Sequence, residues 1–106
     1  MRMKKNILVI KKMNQEEVKL VQDLTEQVQQ GTKFFYDFPK AVKILNSKLY
    51  LAPDGWGNQS FFVSVEYEFD GVKYKIEKPV YNDVNDVIND ILFEIVDHYR
   101  RCHLNQ

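Results

Sequence analysis

One cysteine, three prolines and four glycines are spread over 106 residues. The lone thiol, Cys102, cannot close an internal bridge. That excludes a disulfide-stapled scaffold and favours a reducing compartment. With so little proline and glycine, and no tract rich in either, a collagen-like or low-complexity chain is excluded and no internal linker is visible. Net charge is missing too, because fifteen basic side chains balance fifteen acidic ones. A protein whose main task is gripping a phosphate backbone usually carries a basic excess. The basic start Met1-Arg2-Met3-Lys4-Lys5 is followed only by the short aliphatic run Ile7-Leu8-Val9-Ile10. Four residues are far too few for a signal-peptide core or a membrane span, so the expectation is a cytoplasmic protein with no membrane association.

What is there suits one soluble globular domain spanning residues 1–106. The chain is 44% hydrophobic and 28% charged, and its 12.6 kDa is enough to bury a core without staples. The charge is unevenly placed. Residues 1–50 hold ten Lys/Arg and five Asp/Glu, whereas residues 51–106 hold five and ten. Such a +5/−5 division suits two differently charged faces or a subunit that associates head to tail, unless folding mixes the halves on one surface.

Along the chain, residues 5–11 carry four consecutive aliphatics flanked by lysines and read as a buried strand. A helix is expected next. Asn14 suits its N-cap, Glu17 the N3 position of a capping box, and Met13 with Val18 a hydrophobic staple. Val18, Val21, Leu24, Thr25 and Val28 recur at helical spacing, and Gly31 supplies a C′ stop. Residues 32–46 are ambiguous. Pro39 could open a short helix lined by Ala41, Val42 and Leu45, or the same residues could begin a strand.

Beyond Ser47 the pattern sharpens. Leu49 and Leu51 alternate with Lys48 and Tyr50 before a turn-rich loop, Ala52 to Asn58. Phe61, Val63, Val65, Tyr67 and Phe69 form a period-two apolar face opposite Ser64, Glu66 and Glu68. Asp70-Gly71 is a type I′ hairpin signal, and Val72, Tyr74 and Ile76 continue the apolar face on the return strand. A two-residue turn fixes the register. It sets Phe69 opposite Val72, Tyr67 opposite Tyr74, Val65 opposite Ile76, and the charged pairs Glu68–Lys73 and Glu66–Lys75 on the other face. Finally Val84, Val87, Ile88, Ile91, Leu92, Ile95, Val96 and Tyr99 keep i, i+3, i+4 spacing in a helix beginning near Asn82 or Asp83. Asp83 and Asp86 lie at its positive end, Arg100 and Arg101 at its negative end. The expected fold is therefore α+β: an antiparallel sheet of three to four strands, two main helices on one face, order β-α-β-β-β-α. One conflict stands, since Ile7–Ile10 asks for cover on both strand faces while the hairpin's charged face is wet.

Candidate chemistry is sparse. Helical spacing aligns Glu94, His98 and Cys102 on one ridge, with His103 beside it, and a metal or a nucleophilic pair could use such a ridge. Projection places Cys102 near the centre of the apolar stripe instead, as a filler at the helix end. No CxxC or HExxH pattern accompanies it. Glu66 and Glu68 face lysines, and Asp83, Asp86 and Asp90 occupy the opening turns of a helix, so no carboxylate is marked for acid–base work. Gly55 and Gly57 bracket Trp56 without the flanking strand and helix that a phosphate-cradling loop needs. The sequence thus proposes no catalytic residue, no metal ligand and no cofactor.

The order helix, three strands, helix over residues 14–103 resembles the double-stranded-RNA-binding domain in topology. That resemblance implies a lysine cluster at the start of the last helix, where this chain has the acidic run Tyr81-Asn82-Asp83-Val84-Asn85-Asp86. Nucleic acid is therefore the second expectation, and a small metal-free enzyme the third. The first rests on aromatics. Trp56 sits at the tip of a glycine-bracketed loop, and Phe34, Phe35, Tyr36 and Phe38 cannot all face one core if extended. These five are the expected anchors for a protein partner, in a non-enzymatic module that inhibits, adapts or regulates it, or that self-associates as a homodimer. The alternative is that Trp56 folds back as a lid over the core and the phenylalanines complete it.

Overall fold

A computed structural model describes residues 18–104. The strand expected at 5–11 and the cap and staple positions Met13, Asn14 and Glu17 lie outside the described residues. The observed elements are β1 (Lys19–Asp23), α1 (Thr25–Lys33), β2 (Lys43–Pro53), β3 (Gln59–Phe69), β4 (Val72–Pro79) and α2 (Val84–Leu104). The strands form one antiparallel sheet in sequence order, and α1 and α2 cover one face of it. This is an α+β fold of the expected order.

Its first half is cut differently from the expectation. The helix foreseen from Asn14 to Gly31 is replaced over residues 19–23 by the edge strand β1, and helix begins only at Thr25. Val18, Leu20 and Val21 are all exposed, so the helical spacing that included Val18 and Val21 marks no buried face. Backbone pairing with β2 outweighs the local preference there, Lys19 standing opposite Leu51 and Asp23 opposite Lys48. Only Leu24 and Val28, one helical turn apart, reach the core. The true helix start is organised by Asp23, whose Oδ1 accepts the Thr25 N–H at 2.8 Å. The Thr25 side chain, and then this backbone bond, hold the Asp23 carboxyl below its ordinary pKa. The corner is pinned to β2 because Leu24 N–H donates to Ser47 O at 2.8 Å and Ser47 N–H to Thr25 Oγ1 at 3.0 Å.

Gly31 is not the C′ stop either. It lies inside α1, where a Cβ would come 3.3 Å from Leu92 Cδ1. The glycine lets the two helices approach closely. The ambiguous segment resolves into turns over residues 34–41, with Pro39 O accepting the Val42 N–H, and then into β2 from Lys43.

The hairpin register is the one the turn dictates. Phe69 faces Val72, Tyr67 faces Tyr74, Val65 faces Ile76, and Glu68 and Glu66 stand opposite Lys73 and Lys75. Asp70 and Gly71 have φ of 55° and 78°, as a type I′ turn requires. A β-branched residue resists positive φ, so Gly71→Val should lower stability by about 1 kcal/mol or more, read as a shifted urea midpoint at unchanged slope. A midpoint equal to the parent's would contradict the turn.

The core lies between helices and sheet. Val63, Val65, Tyr67 and Phe69 alternate inward from β3, and Ile88, Ile91, Leu92 and Ile95 meet them from α2. Each such side chain contributes about 1.5–3 kcal/mol by leaving water. Toward the end of α2 the contact swings from the expected Cys102 to His98, Tyr99 and His103, which pack around Phe69. Cys102 is exposed, which corrects its assignment as a core filler. The sheet stops at the Asp70-Gly71 turn, so the last helical turn has only that rim to lean on.

Candidate functional site

The exposed aromatics form two separate groups. The loop between β2 and β3 is ordered by one carboxylate. Asp54 Oδ1 accepts the backbone N–H of Trp56 at 2.8 Å and of Asn58 at 3.3 Å, while Asp54 N–H donates to Asn58 O at 2.9 Å. Gly55 and Gly57, at φ 90° and 88°, let the chain curl round that side chain. The result is a compact turn that leaves Trp56 89% exposed. Trp56 is therefore no lid over the core.

The second group follows α1. Phe34 and Phe35 N–H close the helix end onto Gly31 and Thr32 carbonyls, and Asp37 turns the chain with φ of 63°. Phe35 and Phe38 then tuck inward. Their rings meet edge to face at 6.2 Å, and Phe35 packs 4.6 Å from the Phe93 ring of α2. Phe34 and Tyr36 point the other way, each 90% exposed, and Phe93 remains 64% exposed beside them. Of the five expected anchors, Trp56, Phe34 and Tyr36 face solvent, and Phe35 and Phe38 help to close the core. The groups sit at opposite ends of β2, ten residues or roughly 30 Å apart, so they cannot grip one small ligand together.

The Glu94, His98, Cys102 and His103 ridge disperses. Glu94 pairs with Lys78 at 2.9 Å, His98 Nδ1 shares a 2.7 Å hydrogen bond with the Tyr67 hydroxyl, and His103 Nε2 lies 3.0 Å from Asp70 Oδ2. The last contact is close but off hydrogen-bond geometry. His98 is wedged among Tyr67, Phe69 and Tyr74, with ring centres 4.5–5.9 Å away. Burial raises the Tyr67 hydroxyl above its ordinary pKa, so it stays a neutral partner to the imidazole. The cluster ties α2 to the hairpin. Among the described residues no group of three His, Cys, Asp or Glu could hold a metal ion.

Sequence reasoning missed the network on the open face of the sheet. The Tyr50 hydroxyl donates to Glu77 Oε2, and Lys75 Nζ lies 3.2 Å from Glu77 Oε1. Lys75 thus turns to its own strand rather than to Glu66 across it, which corrects the expected ion pair while leaving the register intact. The Tyr50 hydrogen bond, then Lys75, hold Glu77 below the ordinary carboxylate range, and partial burial with Glu77 beside it raises the Tyr50 pKa. Both shifts give a sign. The depressed Glu77 contributes stability above its unfolded pKa that is lost as pH falls below about 4.5, and the raised Tyr50 contributes stability that is lost as pH climbs above about 10. Tyr50→Phe should lower stability by about 1 kcal/mol at neutral pH, the solvent-screened pair keeping it small, and flatten both limbs of the melting profile. Unchanged limbs would remove the network. Knowing that β2 lies beside β3 was the missing signal, since Tyr50 stands opposite Phe62 and Ser64 opposite Glu77.

Comparison with protein-family models, with curated proteins and with solved structures finds no match. Among the described residues no helix is long and apolar enough to cross a membrane. At the start of α2, Asp83, Asp86 and Asp90 line a shallow hollow beside Tyr81. These carboxylates stand where the double-stranded-RNA-binding resemblance implied lysines.

Proposed function

We propose that this chain is a non-enzymatic protein-interaction module of the cytoplasm, one that inhibits, adapts or regulates a larger protein partner. The observation that carries the reading is the exposure of Trp56, Phe34 and Tyr36 on backbone that is itself ordered. Large aromatics held in water on a defined scaffold lose little conformational entropy when a partner covers them. Nucleic acid remains the second reading, favoured by the helix, three-strand, helix order and opposed by the three aspartates at the start of α2.

Affinity capture from native lysate separates the two. The tagged wild-type chain and a Phe34→Ser/Tyr36→Ser variant are compared with and without nuclease, and the recovered proteins are read by mass spectrometry. A few proteins retained after nuclease and lost with the variant would support the first reading. Recovery that disappears with nuclease and ignores the variant would replace it with the second.

A further inference from the structure

Three lysines rim a groove at the end of the sheet where β2 begins. Lys33 comes from the last turn of α1, Lys40 from the connecting turns and Lys43 from the first position of β2. The groove holds about 620 Å³, and Phe38, Val42 and Ile44 contribute its apolar lining. That volume lies within the range of ordinary ligand clefts. Among the described residues none of the three ammonium groups has a carboxylate within 4.0 Å, whereas Lys75 and Lys78 are paired. The acidic groups nearby are Asp37 in the turns and Glu68 opposite Lys43.

The complement begins at the other end of the sheet, where β4 leads into α2. Tyr81 is 85% exposed, and Asp83, Asp86 and Asp90 follow it. One oxygen of Asp83 caps the helix through Asn85 N–H at 2.9 Å, and none of the three carboxylates has a cation within 4.0 Å among the described residues. Lys78, which lines the same hollow, is held by Glu94. Val80 N–H bonds Phe61 O, and Lys43 stands opposite Glu68, so Lys43 and Val80 are about seven residues apart along β3, roughly 23 Å. Among the described residues no ion pair joins the two surfaces within one chain.

We propose that the groove receives a second copy of this chain, head to tail, with Tyr81 entering the apolar floor and Asp83, Asp86 and Asp90 meeting Lys33, Lys40 and Lys43. The proposal rests on the protein-interaction reading and names one partner for it. Three charges of each sign match, and a formal net charge of zero leaves little self-repulsion to oppose association. Because groove and acidic corner are different surfaces, a pair leaves one copy's groove and the other copy's acidic corner free, and the contact propagates.

The test is light scattering on the full chain. In low salt the mass should rise with concentration above 12.6 kDa and return to it in about 0.5 M NaCl, where exposed charges are screened. Lys33→Ser/Lys40→Ser/Lys43→Ser and Asp83→Asn/Asp86→Asn/Asp90→Asn should each stay monomeric, and asparagine keeps the helix cap. Mixed in equal amounts, they should form a species of two chains, since one intact groove meets one intact acidic corner. A wild-type chain that is monomeric at about 1 mM in low salt, or a mixture that stays monomeric, overturns the proposal. If either variant melts as unfolded, carbodiimide cross-linking of the wild-type chain decides. Amide links between copies should join Lys33, Lys40 or Lys43 to Asp83, Asp86 or Asp90, and links confined to other residues overturn it. A monomeric wild type that still captures foreign proteins through Phe34 and Tyr36 refutes this contact alone; an assembling chain whose capture ignores those residues refutes the aromatic reading alone.

Discussion

Trp56→Ala should leave the fold almost untouched and cut partner capture by about thirtyfold or more. Trp56 is 89% exposed, and its loop is held by Asp54 through backbone bonds that alanine retains. Exposed substitutions usually change stability by no more than about 0.5 kcal/mol, a few degrees at most in melting temperature. A buried lid would behave in the opposite way, losing roughly 3–5 kcal/mol on truncation. An interface anchor contributes about 2 kcal/mol or more to binding, which is the expected loss of capture. Calorimetry and a binding isotherm on the same preparations check both halves. A variant that melts far below the parent places Trp56 in the core, and one that binds as the parent does removes it from the interface.

The largest stability effect should come from the middle of α2. Ile91→Ala removes a fully buried side chain from the layer between helix and sheet and should cost about 2–5 kcal/mol, much of the margin available to a chain of this size. Cys102→Ala, three turns further along the same helix, should change stability by no more than about 0.5 kcal/mol because the thiol is exposed. Exposure also means that a thiol reagent should label Cys102 in the folded state nearly as fast as in urea. Urea denaturation of both variants and a labelling time course read the contrast. Strong protection of Cys102 would show that the apolar stripe runs to the end of the helix.

The elements that were legible in the sequence are those whose signals are local. The Asp70-Gly71 turn fixes every pairing of β3 with β4, because two residues at positive φ admit one register. The last helix is equally plain, since its i, i+3, i+4 apolar pattern needs no partner to be recognised. The bracketing glycines leave open whether Trp56 faces water or lies over the core, and only its place in a loop was foreshadowed. The decision that Phe34 and Tyr36 face water while Phe35 and Phe38 face inward was not, because it depends on where Phe93 of α2 arrives.

The sequence alone determined the fold class, the hairpin register and the presence of α2, all of them set by turn geometry or by periodicity within one segment. Tertiary structure decided the rest. It made residues 19–23 a strand, because the edge of β2 offered them hydrogen bonds that the helical spacing could not foresee. It placed Gly31 within a helix at a close approach to Leu92, and turned Cys102 to solvent where the sheet runs out beneath α2. It also joined Tyr50 to Glu77 across three strands and gathered Lys33, Lys40 and Lys43 around one groove. Each of these depends on contacts between residues far apart in the chain, and no local pattern encodes which segments will meet.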